Sequence, residues 1–178
     1  MKNALAILSL LICACSVPAS EKRGETLSAR VVLTTGERSK DSSSEKTTIT
    51  LARDTIVWER AFGGRRGGMP PSRKEFRLSR ADKQNLVKLI RSNNLLLTDS
   101  IELPRDAATF RYFEISVDLA VGEKKGAIRI SGMRTAVMVR EEKLYQNTLT
   151  LVRELYRIMK SQDKSVLFEE LVLEPPRR

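Results

Sequence analysis

The stretch that decides the fold of this chain is Phe113–Gly132, FEISVDLAVGEKKGAIRISG. In its first half, large apolar residues alternate with polar or small ones, and the apolar set is Phe113, Ile115, Val117, Leu119 and Val121. A period of two places all of these side chains on one face of a pleated strand. The polar run Gly122–Lys125 is typical of a turn, and Ile128 and Ile130 continue the apolar face on a return strand. Because a two-stranded hairpin is marginal on its own, the pattern predicts a larger sheet whose apolar face is covered.

Further strands are predicted upstream of this hairpin, where β-branched, aromatic or other apolar residues recur between turn residues. They fall at 29–35, 47–53, 55–61 and 75–78, and Arg53-Asp54 forms the turn between the second and third. The stretch 98–109 contains Pro104 and is predicted to be irregular.

Two amphipathic helices are predicted to cover the sheet. The first is capped by Ser79, with Asp82 completing an approximate capping box, and it ends at Asn93-Asn94. The second runs from about Val139 to Lys160, and its apolar stripe recurs at three- and four-residue spacing: Leu144, Thr148, Leu151, Leu155 and Ile158. We therefore expect one α+β domain over residues 27–160, a mainly antiparallel sheet with two helices packed on one face, which is a two-layer sandwich.

The N-terminus carries the pattern of an export signal. A short positive segment precedes the apolar run Ala4–Ala14, which is too short to span a bilayer and fits a signal-peptide core. Ile12-Cys13-Ala14-Cys15 resembles a bacterial lipobox, which would make residues 1–14 the signal and Cys15 the lipidated first residue of the mature chain. Val17 two places later resembles lipoproteins of the outer membrane. The alternative is ordinary cleavage after Ala19, which would release the protein into the periplasm.

The segments that flank the domain are polar or mixed in composition. Residues 15–26 are small and polar and are predicted to form a flexible tether, while 161–178 form a C-terminal tail. The segment Phe62–Pro71, FGGRRGGMPP, is predicted to be a basic loop, because its glycines and prolines do not suit a helix or a central strand. Either it is a solvated connection, or it contacts an acidic partner or anionic lipid head groups. Its candidate partner-binding residues are Gly63, Gly64, Arg65, Arg66, Gly67 and Gly68.

Composition excludes several classes of site. The 178 residues include no histidine, so Ser-His and Cys-His catalytic pairs and His-ligated metal sites are excluded. No GxSxG or GK[ST] element is present, so we expect no enzyme, no cofactor and no metal. The net charge is +10, but no base-stacking aromatics interleave with the basic loop, and an exported protein is not expected to bind nucleic acid.

From about residue 56 to 159, the order of features resembles the emfourin family of small bacterial proteins, some of which inhibit thermolysin-like metalloproteases. The resemblance rests on four pieces: Val57-Trp58-Glu59-Arg60 with Gly63-Gly64, Phe76–Ile90 with Leu95-Leu96, Phe110-Arg111-Tyr112 leading into the hairpin, and Leu144–Ile158. This chain differs in its export signal, its extra N-terminal strands and its longer, more basic glycine loop. The resemblance implies protease inhibition, and by analogy Gly63–Gly68 is where we expect the inhibitory contact.

The sequence therefore predicts an exported, lipid-anchored envelope protein that binds another protein without catalysing a reaction. Its partner is expected to be an envelope protein or a secreted protease, and the resemblance favours a metalloprotease. The alternative is a structural envelope lipoprotein that contacts another envelope component or anionic lipid. The sequence does not determine the oligomeric state.

Overall fold

The computed structural model of the chain describes residues 25–37, 44–63, 70–102, 111–133 and 143–166. These residues form seven strands and two helices: β1 (Leu27–Glu37), β2 (Ser44–Ala52), β3 (Thr55–Gly63), β4 (Ser72–Arg77), α1 (Arg80–Ser92), β5 (Thr98–Glu102), β6 (Arg111–Val121), β7 (Lys124–Met133) and α2 (Lys143–Gln162). The strands form one sheet in the order β4-β3-β2-β1-β6-β7-β5. Every neighbouring pair is antiparallel except β5 and β7, which are parallel. The predicted α+β fold with a mainly antiparallel sheet is confirmed.

One face of the sheet is covered by the helices and holds the core. Val31 on the central strand β1 pairs with Ile49 on β2 and with Val117 on β6, and all three side chains are buried. Cross-strand partners point to the same side of a sheet, so this register stacks the alternating apolar residues of all the central strands into one layer. The five apolar residues of β6 that begin this pattern are all buried, as the sequence predicts. The opposite face of the sheet, here called the open face, carries the polar residues of the same strands.

The two ends of the sheet differ. At one end, called the turn end, tight turns at Arg53-Asp54 and Gly122-Glu123 join β2 to β3 and β6 to β7. Gly122 has a φ of 60°, a left-handed conformation that glycine adopts without steric cost. At the other end, called the loop end, β1, β3, β5 and β7 finish and β2, β4 and β6 begin. The β1–β2, β3–β4 and β5–β6 connections, of six to eight residues each, therefore leave from the loop end, whereas the β4–β5 connection, which contains α1, leaves from the turn end.

The helices cross the sheet side by side. In α1, Lys83 pairs with Asp54 at 2.8 Å and Arg91 pairs with Glu25, which places this helix over the turn end. In α2, the ring of Tyr145 lies 6.0 Å from that of Phe113, near the loop end.

The two helices run antiparallel to each other. Arg157 of α2 lies 3.0 Å from Asp82, which is at the start of α1. Asn147, near the start of α2, donates a hydrogen bond of 3.1 Å to the carbonyl of Asn93, at the end of α1. The predicted cap of α1 is confirmed, because the Ser79 hydroxyl accepts from the backbone N–H of Asp82 at 3.0 Å.

The structure differs from the sequence prediction in three places. Residues 98–102 were predicted to be irregular, and this is wrong: they form β5, because the edge of β7 supplies hydrogen-bond partners that a local pattern does not reveal. Phe62 and Gly63 were assigned to the basic loop but belong to β3, since they continue its pairing with β2. The helix α2 was predicted to end at Lys160 but continues to Gln162. Val166, which was assigned to the C-terminal tail, is only 1% exposed and belongs to the core.

Candidate binding surface at the loop end

A cluster of three side chains lies where β2 begins and β3 ends. Phe62 is the cross-strand partner of Glu45, and Arg60 sits two residues before Phe62 on the same face. The guanidinium of Arg60 donates from Nη2 to Oε2 of Glu45 at 2.9 Å and from Nε to Oε1 at 2.5 Å. Its Cζ lies 4.8 Å from the centroid of the Phe62 ring. We call Glu45, Arg60 and Phe62 the Arg60 cluster.

The geometry of the Arg60 cluster makes it rigid. The two parallel N–H···O bonds fix the plane of the guanidinium, and the aromatic ring holds it from the side. The side chains of Arg60 and Glu45 are 19% and 23% exposed, so water screens the pair only partly. The last residues of β3, just before the glycine loop, are thus held in one orientation.

Beneath this cluster the core is partly polar. Tyr156 of α2 lies close to Thr47 and Trp58, and burial raises the pKa of its hydroxyl, with smaller opposing effects from these neighbours. The three side chains thus form a small polar group within the buried layer below the Arg60 cluster.

On the open face, an aromatic ring packs on the strand ends at the loop end. A Cβ added at Gly36 would lie 2.7 Å from three atoms at the tip of the Tyr112 side chain, so the tyrosine packs directly on the glycine backbone. Gly36 is also the cross-strand partner of Ser44 on β2. The ends of β6, β1 and β2 are therefore tied together beside the Arg60 cluster.

The sequence-predicted residues divide into two groups. Gly63 is the last residue of β3 and faces Ser44, so it lies beside the Arg60 cluster. Gly64, Arg65, Arg66, Gly67, Gly68 and the lipidation candidate Cys15 lie outside the described residues. The chain is described again from residue 70, and β4 begins at Ser72 on the same end of the sheet.

The start of β4 is held by ion pairs. Arg73 contacts Glu75 at 2.9 Å and Glu59 at 3.8 Å on the open face. Lys74 contacts Asp163, beyond the end of α2, at 2.7 Å. The hydrogen bond from Lys74, together with those from Ser165, lowers the pKa of Asp163 to about 2. Both strands that flank the glycine loop are thus anchored by charged contacts.

The Arg60 cluster was missed by the sequence analysis. Its local signal was present, because Arg60 and Phe62 are two residues apart and must share a strand face. Glu45, however, is 15 residues away, and only the register of β2 against β3 brings it to Arg60. The Arg53-Asp54 turn between these strands was predicted, but the predicted strand began at residue 47 and so left out Glu45.

Comparison with known proteins adds no assignment. No protein-family model matches the chain, and no curated protein matches it. Among the described residues, no group of three or more Cys, Asp or Glu side chains is arranged to hold a metal ion. None of the helices described here is both long and apolar enough to cross a membrane.

Proposed function

We propose that this protein is exported, is held at the membrane through a lipid on Cys15, and acts there as a non-enzymatic protein-binding module. Its contact surface is the loop end, formed by the Arg60 cluster and the basic glycine loop, residues 63–68. The partner is an envelope protein or a secreted protease, and the emfourin resemblance favours a thermolysin-like metalloprotease.

The observation that carries this proposal is that three strand connections of six to eight residues leave from one end of a rigid sheet. The connections between β1 and β2, β3 and β4, and β5 and β6 all start from the loop end. Loops mounted on a fixed scaffold are where proteins most often place binding residues, because sequence can vary there without cost to the core. Here the scaffold is fixed by the bidentate Arg60–Glu45 pair and by the packing of Tyr112 on Gly36.

The charge of the loop sets the class of contact. Arg65 and Arg66 bring two guanidinium groups next to Gly63 in the sequence, and the Arg60 guanidinium is already bonded to Glu45. Arginine forms bidentate contacts with carboxylates and packs on aromatic rings, so it suits a protein surface with acidic and aromatic groups. The proposed partner therefore presents such a surface to the loop.

The first test is a titration of residues 20–178 against a thermolysin-like metalloprotease, followed by cleavage of a small substrate. This fragment contains every described strand, helix and core residue. The expected result is stoichiometric inhibition with the fragment uncut. The variant Arg65→Ser/Arg66→Ser should weaken inhibition, whereas Lys143→Gln/Lys160→Gln, which removes the same charge from exposed positions of α2, should not.

A second test covers partners other than proteases. A photo-cross-linking amino acid is placed at Ala61, which is exposed near the loop end, or at Ala81, which is exposed on α1. In intact cell envelopes, Ala61 should give a discrete protein adduct and Ala81 should not. Failure of inhibition together with equal adducts from both positions would contradict the proposed contact surface and favour the structural lipoprotein.

A further inference from the structure

A second charged surface lies at the turn end, opposite to the proposed contact surface. It consists of the two hairpin turns and the exposed side of α1. Seven basic residues lie there: Arg53, Arg80, Lys83, Lys88, Arg91, Lys124 and Lys125. Three acidic residues lie among them: Glu25, Asp54 and Glu123. We call this region the basic turn surface.

The basic and acidic residues of α1 lie on different sides of the helix. Arg80, Lys88 and Arg91 are exposed, and their spacing places them on the arc that runs from the turn end to the outside of the helix layer. The one acidic residue of α1, Asp82, is on the other side, where it contacts Arg157 of α2 at 3.0 Å. The hydrogen bond from Ser79, followed by that from Arg157, lowers the pKa of Asp82. The exposed arc of α1 therefore carries positive and neutral groups only.

One turn holds a basic residue in a conformation that suits glycine. Arg53 has a φ of 56°, and the corresponding first residue of the β6–β7 turn is Gly122 with a φ of 60°. In this region a Cβ comes too close to the following carbonyl oxygen, so a residue other than glycine has a steric cost. An exposed arginine thus occupies a position where glycine would have no steric cost, and a surface role for its charge would account for that cost.

The chain enters the sheet at this same end. The carbonyl of Thr26 accepts from the N–H of Gly122 at 2.9 Å, and Glu25 pairs with Arg91. From there the eleven residues of β1 lead to the loop end, about 33 Å away at the usual rise per strand residue. A tether attached before residue 27 therefore joins the domain at the basic turn surface, while the loop end lies at the far end of the sheet.

We propose that the basic turn surface binds the anionic phospholipid head groups of the membrane to which the chain is tethered. The orientation rests on the proposed lipid anchor, whereas the binding itself does not. The exposed residues of α1 include no large apolar side chain, so this surface lacks the apolar centre of a typical protein interface. A layer of phosphates needs no such centre, since its attraction for lysine and arginine is electrostatic. Lipid binding here would direct the loop end away from the membrane, toward a partner.

The test uses residues 20–178, which lack Cys15, and vesicles with or without phosphatidylglycerol in phosphatidylcholine. Wild type should sediment with the anionic vesicles and not with neutral ones, and binding should fall steeply between about 0.05 and 0.2 M salt as the charges are screened. The triple variant Arg80→Gln/Lys88→Gln/Lys124→Gln removes three exposed charges of the basic turn surface. At about fivefold per basic residue near the surface, its partition coefficient should fall about 100-fold.

The matched control is Lys46→Gln/Lys143→Gln/Lys160→Gln, which removes three exposed charges outside the turns and α1. It should change partitioning by less than about fivefold, because none of these residues belongs to the two hairpin turns or to α1. Arg53→Gly should also weaken binding while the melting temperature stays the same or rises, since glycine relieves the left-handed backbone. That combination separates a surface role of the charge from a loss of folding.

Three results would overturn the proposal: no binding to anionic vesicles at low salt, equal losses in the two triple variants, or a loss seen only with Arg65→Ser/Arg66→Ser. The last would assign lipid binding to the glycine loop. None of these outcomes depends on the protease titration or on the cross-linking at Ala61. Lipid binding by the basic turn surface and protein binding by the loop end are therefore tested independently.

Discussion

The turn end and the loop end of the sheet join neighbouring strands in different ways. At the turn end the hairpins close in two residues and the 95–97 segment packs on Gly126 so closely that a Cβ there would lie 2.6 Å from the carbonyl oxygen of Leu95. At the loop end the connections from β1 to β2 and from β3 to β4 are longer, and the only close contact of a Cβ at Gly63 would be with the movable hydroxyl of Ser44, at 2.8 Å. The turn end is thus constrained by backbone contacts and the loop end by side-chain contacts. Binding residues can vary at the loop end without disturbing the chain path.

The core is what the two ends share, and it should give the largest effect. Leu151 of α2 is 1% exposed, so Leu151→Ala removes buried apolar contacts and leaves a cavity. We expect a loss of about 2–5 kcal/mol in the free energy of unfolding, measured by urea denaturation. Leu86→Ala in α1 should have a loss in the same range, because that side chain is equally buried over the turn end. A negligible cost for Leu151→Ala would show that α2 does not pack on the sheet.

The difference between the ends is tested by adding one methyl group to each. Gly126→Ala places a Cβ within 3.0 Å of backbone atoms of Leu95, Leu96 and Leu97, none of which can rotate away. We expect a destabilisation of about 1–3 kcal/mol, as for other overpacked sites. Gly63→Ala is the control, and it should stay within about 0.5 kcal/mol because the Ser44 side chain can change rotamer. Equal losses at the two positions would remove the distinction between the ends.

A smaller effect is expected from the ion pair beside β4. The pKa of Asp163 is lowered to about 2, first by the hydrogen bond from Lys74, so its contribution to stability is present above pH 4. That contribution is lost as the pH falls from about 4 through 2, where the folded state must also protonate the carboxyl. Asp163→Asn should therefore flatten the pH dependence of unfolding in this window and leave the slope above pH 5 unchanged. The effect is small because the side chains are about a third exposed and water screens the pair. An unaltered slope between pH 4 and 2 would mean that the pair does not form in solution.

The smallest effect is expected within the glycine loop. Arg65→Ser/Arg66→Ser should leave the free energy of unfolding within about 0.5 kcal/mol of wild type, as for most surface substitutions. The same double variant should reduce partner binding, so stability and binding are affected separately. A large loss of stability would show that these arginines are part of the folded scaffold, and the loop end would then resemble the turn end.

Local sequence patterns predicted most of the secondary structure because they depend on short-range geometry. The alternation in β6 and the turn after it needed only a period of two and a glycine at a left-handed position. The cap of α1 needed only Ser79 and Asp82, three residues apart. Asn94, predicted with Asn93 to end that helix, has a φ of 52°. Each of these signals lies within one element or one turn.

The candidate site was predicted less well than the fold. Gly63 was identified, but as part of a loop rather than as the last residue of a strand. The Arg60 cluster was not identified, because its ion pair joins positions 15 residues apart. The basic turn surface was not identified either, since Arg53, Arg80 and Lys124 come from three separate parts of the sequence.

The sequence alone determined the elements other than β5, the mainly antiparallel sheet and the buried side of the predicted strands, because periodicity fixes which residues share a face. Only the tertiary structure decided the strand order, the parallel edge strand β5 and the placement of both two-residue turns at one end of the sheet. The physical reason is that strand pairing joins backbone groups far apart in the chain, and their partners are not encoded within any short window of residues. The same strand pairing also places α1 and the two hairpin turns at one end of the sheet, and this placement brings their charges together.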